Sequence, residues 1–206
     1  MTGVKLNFIN QSNDTNNSEI VIFQKNVATD YDELAIAWKV IENCGKGMNH
    51  PFMFPLQTYV SASDSWGNYT PQLAAQNGQL FSVIQSASGD VLEYTGPATS
   101  SREIQVLNAL QIGAINVNIY KNGQLLAIKN NVAPGQKAVF EFTPTLWIGA
   151  VSQIEQGDVM NSAIISQLNT ELSLFGIASA DIVMTGGGPG KASTGFIFTL
   201  QNIVYA

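Results

Sequence analysis

The chain has 206 residues, of which 45% are hydrophobic and only 12% charged, with a formal net charge of −6 at pH 7. Its nine basic residues are scattered singly, which argues against nucleic acid as a partner and leaves no polybasic patch for an anionic membrane surface. Polarity comes instead from 19 Asn and 15 Gln. Such neutral hydrogen-bonding groups suit carbohydrate contact or self-association.

Apolar and other residues alternate along most of the chain, which predicts strands with one face turned to a core. Ala138, Phe140 and Phe142 form one such series, and Phe196, Phe198 and Leu200 form another. The predicted strands, in chain order, are 4–9, 19–24, 34–41, 57–62, 79–86, 91–95, 103–108, 114–120, 124–128, 137–142, 145–154, 164–174, 180–185 and 195–203. Only 159–174 also fits a helical face, and its alternation favours a strand.

Turn residues separate these strands. Asn122-Gly123 and Asn77-Gly78 are hairpin signals, because both positions tolerate a positive φ. The tetrad Asn-Gly-Gln-Leu occurs twice, at 77–80 and 122–125, but the flanking residues differ, so no internal repeat is predicted. Since no linker divides the chain, we expect an all-β fold: one two-sheet antiparallel β-sandwich domain over residues 1–206, with about a dozen strands.

One loop has the composition of a ligand site. Asp64, Trp66, Asn68 and Tyr69 place two aromatic rings beside an acid and an amide. Sugar recognition uses this combination, since a ring stacks on the apolar face of the sugar and polar side chains bind its hydroxyls. The structural alternative is a tight turn whose Trp66 folds back onto the core.

The other candidates for chemistry are weak. His50, the single histidine, has no nucleophile motif to serve and is interpreted as a loop residue, so no catalytic residue is predicted. Residues 185–192 lack the first glycine and the final hydroxyl of a phosphate-binding loop and fit a connection between antiparallel strands. Asp30–Glu33 does not predict a metal site, because the run has no calcium-loop pattern. The lone Cys44 does not either, because one cysteine and one histidine cannot form a usual zinc site. We therefore expect no metal and no cofactor.

The single cysteine also excludes an internal disulfide. The first residues lack the basic and apolar regions of a classical signal peptide, and no apolar run is long enough for a spanning helix. These features predict a cytoplasmic protein, or one exported by a route that needs no classical signal peptide.

Two segments resemble the rhizosphere-induced RhiA-like bacterial proteins. The first is Asn17–Lys25, an Asn-Ser pair before an apolar strand that ends in aromatic-Gln-basic, followed by Leu34–Lys39. The second is Phe142–Gly149, a Phe-Thr-Pro…Trp-Ile element, with Gly157-Asp158-Val159 after it. The resemblance covers about a third of the chain and carries no catalytic residues. It implies a bacterial, non-enzymatic accessory protein.

Three functions remain open. The first is a non-catalytic protein that acts by self-assembly or by binding a surface or ligand, with a glycan as one candidate. The second is a membrane-active, toxin-like β-sandwich, based on the alternation from Ile164 to Phe175. The third is an enzyme without histidine or metal chemistry. Uncharged candidate strands at 57–62, 79–86 and 114–120 further predict a homo-oligomer or ordered assembly, if they lie at sheet edges.

Overall fold

The structure, a computed structural model, describes residues 2–28, 35–161, 164, 165, 168 and 170–206. Within these residues the fold is all-β, and a single 3-10 turn lies at Gly190–Ala192. The sixteen strands are β1 Gly3–Asn10, β2 Glu19–Phe23, β3 Lys39–Ile41, β4 Asn49–Pro55, β5 Thr58–Ser63, β6 Leu73–Ala75, β7 Gln79–Ser86, β8 Gly89–Pro97, β9 Ile104–Asn108, β10 Ile115–Lys121, β11 Gln124–Val132, β12 Lys137–Phe140, β13 Thr145–Val151, β14 Thr170–Ser173, β15 Ile177–Gly187 and β16 Thr194–Tyr205.

The described strands form four sheets of four strands, in place of the two sheets expected from the sequence. Their strand orders are β16-β15-β1-β4 (sheet I), β14-β13-β2-β3 (sheet II), β11-β10-β5-β6 (sheet III) and β12-β9-β7-β8 (sheet IV). Neighbouring strands are antiparallel except for β1 with β15 and β7 with β9, which are parallel.

The chain divides into two compact units. Unit 1 comprises residues 1–24, 36–56 and 144–206, and therefore holds sheets I and II. Unit 2 comprises residues 25–35 and 57–143, and holds sheets III and IV. That residues 1–206 form one domain stays a prediction.

The two units have the same strand connectivity. In unit 1, β1 leads to the β2–β3 hairpin in the other sheet and returns as β4 beside β1. In unit 2, β9 leads to the β10–β11 hairpin and returns as β12 beside β9. The remaining strands correspond in the same way, β13–β16 to β5–β8. The chain is thus a tandem repeat, β1–β8 and β9–β16, in which each unit combines the first half of one repeat with the second half of the other.

Hydrogen bonds support this correspondence residue by residue. Buried Asn10 on β1 donates its backbone N–H to Met48 and accepts from the N–H of Gly47. Buried Asn108 on β9 makes the same two bonds, with Gln136 and Gly135. Gly47 and Gly135 both have a positive φ, of 83° and 79°, which a glycine adopts without strain. The prediction of no internal repeat is therefore wrong; the two Asn-Gly-Gln-Leu tetrads, at 77–80 and 122–125, occupy non-equivalent places in the two repeats.

Most predicted strands are confirmed, with ends shifted by a few residues. Strands β4 and β6 were missed; β4 carries Pro51 and Pro55, which an edge strand tolerates because its outer N–H groups need no partner. The strand predicted at 34–41 shrinks to β3. The four residues before it, Ala35–Trp38, are all buried, so burial does not alternate along them as it does in a strand with one exposed face.

The strand predicted at 164–174 is wrong at its start. The N–H of Leu168 donates to the carbonyl oxygen of Ile164 over 3.2 Å, which is a helical hydrogen bond. Strand structure begins only with β14 at Thr170. Residues 166, 167 and 169 of that prediction lie outside the described residues.

The uncharged strands that were expected at sheet edges are central ones. β5 lies between β10 and β6, β7 between β9 and β8, and β10 between β11 and β5. Their backbone groups are therefore paired on both sides within the chain. This removes the stated basis for the predicted assembly.

Candidate functional site

The loop that joins β5 to β6 in unit 2 is organised by Asp64. One carboxylate oxygen, Oδ1, accepts hydrogen bonds from the backbone N–H groups of Trp66 and Asn68, each at 2.9 Å. The other, Oδ2, accepts from the Asn68 side-chain amide at 2.8 Å. Because these bonds favour the charged form, first of all the one from the Asn68 side chain, they hold the pKa of Asp64 below its ordinary value. Gly67, with φ +85°, lets the chain turn between them.

This loop forms the rim of a cavity of about 430 Å³, and the structure brings all four predicted residues to it. Trp66 is 87% exposed and Tyr69 is 66% exposed. The alternative in which Trp66 folds back onto the core is therefore wrong. The complete lining is Ala62, Ser63, Asp64, Trp66, Asn68, Tyr69, Thr70, Val83, Ser88, Gly89, Asp90 and Ile115.

Sequence reasoning missed the part of the lining that comes from elsewhere in the chain. Ser88 and Asp90 belong to the β7–β8 hairpin, whose turn is tied by a 2.8 Å bond from Ser86 Oγ to the Gly89 carbonyl oxygen. Val83 and Ile115 add apolar surface. These residues lie at least 14 positions after Tyr69, and all but Ile115 lie on the β7–β8 hairpin of sheet IV, so only the tertiary arrangement of unit 2 could have placed them there.

The arrangement suits a ligand with both apolar and hydroxylated surfaces. Two exposed rings offer stacking faces, while Asn68, Ser88 and Asp90 supply amide, hydroxyl and carboxylate groups. Asp64 differs from them in that its oxygens already accept three bonds. Its role is to fix the shape of the loop.

Unit 1 has a cavity of about 530 Å³ at the corresponding place. Ala150, Val151 and Ser152 occupy the positions that Ala62, Ser63 and Asp64 occupy in unit 2, as the strand registers show. Asn16, Ser18 and Ile164 complete its described lining, which contains no aromatic ring. The stacking surface is thus particular to unit 2.

The remaining sequence candidates lie apart from this cavity. His50 is on strand β4 opposite Phe8, so the loop interpretation is wrong. Burial, and secondarily the charge of Lys39, lowers the pKa of His50. Burial raises the pKa of the Cys44 thiol, which disfavours the reactive thiolate. Residues 185–192 do join antiparallel strands, β15 and β16, as expected.

No metal-binding group is evident in the described part of the chain, where no three His, Cys, Asp or Glu side chains come together in a suitable cluster. Residues Asp30–Glu33 lie outside the described residues. One titratable residue went unnoticed in the sequence: Lys121, at the end of β10, is buried, and desolvation lowers its pKa to about 8.

No family model, no curated protein and no solved structure matches the chain. Across the described residues, no helix combines the length and the apolar character required to cross a bilayer.

Proposed function

We propose that this is a non-catalytic binding protein whose unit 2 cavity takes a saccharide. The observation that carries the proposal is the exposure of Trp66, which is 87% accessible on a loop held in shape by three hydrogen bonds. Because the backbone of the loop is already ordered, a ligand that contacts the exposed ring does not bear the cost of ordering that backbone. The ligand that suits Trp66 has an apolar face about as large as a six-membered ring.

A saccharide fits this cavity better than an entirely apolar ligand. A pyranose has one C–H-rich face that can stack on Trp66 or Tyr69, and its hydroxyls need partners such as Asn68 and Ser88. The lining lacks basic residues, so a neutral or N-acetylated sugar is preferred over an anionic one. No general acid–base pair or nucleophile motif enters this proposal, and the ligand leaves unchanged.

The RhiA-like resemblance supports a non-enzymatic role. The segments that carry it are adjacent in the fold, since Trp147 on β13 pairs with Phe23 on β2. We also propose that the two sheets of each unit face one another as a β-sandwich. In sheet I, Val4, Leu6 and Phe8 alternate with more exposed residues, as an inward face requires.

A glycan array followed by calorimetric titration tests the binding role. With the best saccharide, Trp66→Ala should weaken binding at least about 30-fold, the size typical of removing a central aromatic contact. The matched control is Phe175→Ala, which removes another largely exposed ring that does not line this cavity, and it should bind like the parent. Absence of binding to any glycan, or equal binding by both variants, would refute the proposal.

A further inference from the structure

Strand β16 is the longest sheet edge in the described fold, and it lacks the charges and prolines that usually protect an edge from pairing. It lies at the end of sheet I, and its twelve residues, Thr194–Tyr205, include no charge and no proline. Every other described edge strand longer than three residues contains one or the other: β4 Pro51, β8 Glu93, β11 Lys129, β12 Lys137 and β14 Glu171. Natural sheets normally protect their edges with such residues.

The internal repeat shows that the fold itself does not require a bare edge. In unit 2 the place of β16 is taken by β8. Phe198 pairs with Met184 and Thr199 with Val183, and the corresponding pairs in unit 2 are Leu92 with Val83 and Glu93 with Ser82. Position 199 therefore corresponds to Glu93. Strand β8 therefore carries a charge at the edge position where β16 has the neutral hydroxyl of Thr199.

Apolar side chains accompany the bare backbone. Ile197 is 56% exposed, Val204 55% and Tyr205 69%. Phe175, 78% exposed, lies one residue from Gly176, whose carbonyl oxygen accepts a bond from the N–H of Ala206. Val204, Tyr205 and Phe175 thus lie near one end of β16 and Ile197 lies further along it. Exposed apolar surface along a strand can mark a contact with another molecule.

We propose that β16 pairs with the β16 of a second copy of the chain, antiparallel and about a two-fold axis near Thr199. Residues Ile197–Gln201 pair with β15 without a register shift, so this stretch is regular enough to form a new ladder. An antiparallel strand is complementary to itself, because each contact across the axis occurs twice.

Charge favours a second copy as the occupant. Each copy carries a net charge of −6, so contacts between copies through most surfaces bring acidic groups together. The stretch after Lys191 contains no charged side chain, so two acidic chains can approach through it with little repulsion. The proposed contact is thus formed by β16, and not by the three uncharged strands β5, β7 and β10 on which the sequence-based prediction of assembly depended.

Sedimentation equilibrium over a concentration series tests the pairing. The parent should show a species of twice 22.1 kDa whose share rises with concentration. Thr199→Glu puts two like charges opposite each other across the axis and should raise the dissociation constant at least about tenfold. Ile197→Lys replaces an exposed apolar side chain of the edge with a lysine, the residue that commonly protects sheet edges, and should also raise the dissociation constant. The matched control Asn130→Glu adds the same charge at an exposed position on another edge strand, β11, and should leave dimerisation unchanged.

Each possible result is informative. A parent that remains at 22.1 kDa at every concentration refutes the proposal, whether the edge is then bare or covered by a different protein. A dimer that survives both β16 substitutions refutes it as well, and so does one that Asn130→Glu disrupts equally. Circular dichroism spectra and melting temperatures of all variants show whether a substitution acts through misfolding.

Discussion

Asn108→Ala should destabilise unit 2 by about 3 kcal/mol. The Asn108 side chain is fully buried; its amide donates to the carbonyl oxygens of Val132 at 2.8 Å and Gly113 at 2.9 Å, and its own oxygen accepts from the N–H of Leu110 at 3.1 Å. Truncation leaves the groups of Leu110 and Val132 buried and unsatisfied, at about 1–3 kcal/mol each. Gly113 is exposed and can bond to water, so it contributes little.

Urea unfolding followed by circular dichroism measures the loss, and thermal unfolding should show a melting temperature lower by roughly 6–12 °C for a chain of this length. Asn130→Ala is the control, since Asn130 is exposed on β11 and its removal should change stability by no more than about 0.5 kcal/mol. If Asn108→Ala lies within about 0.5 kcal/mol of the parent, the hydrogen-bond reasoning is refuted.

Two further predictions concern titration. Hydrogen bonds lower the pKa of Asp64, so the stabilisation of its loop is complete above the ordinary value of 3.8 and is lost as pH falls through the lower folded pKa. The amide proton shifts of Trp66 and Asn68 should therefore titrate together below pH 3.8. No such transition should occur in Asp64→Asn. The pKa of Lys121 is lowered from 10.5 to about 8, so the free energy of unfolding should rise between those pH values, by up to about 3 kcal/mol. Gln24 occupies the corresponding place in unit 1, because it follows Phe23, which pairs with Trp147, as Lys121 follows Tyr120, which pairs with Tyr59. Lys121→Gln should therefore remove this rise, and a parent whose stability is flat over that range would contradict the prediction.

The sequence predicts the all-β class and most strands because alternation and Asn-Gly turns are local signals. β4 was missed because Pro51 and Pro55 read as turn residues, and only its place at an edge explains them. His50 was misplaced for the same reason. The pairing partners of each strand depend on contacts far apart in the chain, so the number of sheets and the edges could not be read from local patterns.

The repeat, in contrast, leaves a signal in the sequence. In both repeats an aromatic-x-aromatic triplet stands the same number of residues before an aromatic-aliphatic pair: Phe52-Met53-Phe54 before Tyr59-Val60, and Phe140-Glu141-Phe142 before Trp147-Ile148. An Ala follows two places after Val60 and two places after Ile148. For the site, the Asp64 loop was identifiable because its residues are contiguous. Asp90 and Ser88 lie on the β7–β8 hairpin of sheet IV and join the loop only through the tertiary arrangement of unit 2.

The exchange of halves between the repeats sets an order for folding during synthesis. Unit 2 has all its residues once Thr143 has been made, whereas unit 1 needs residues 144–206 to complete the sheets begun by β1–β4. Its parallel pair joins Lys5 to Ser179, a separation that makes closure slow. Strands β1 and β2 can pair early with β4 and β3, but their second neighbours, β15 and β13, are made only after unit 2 is complete. A chain cut short after residue 143 should keep the Trp66 cavity and yet leave its own N-terminal strands without a sheet to complete.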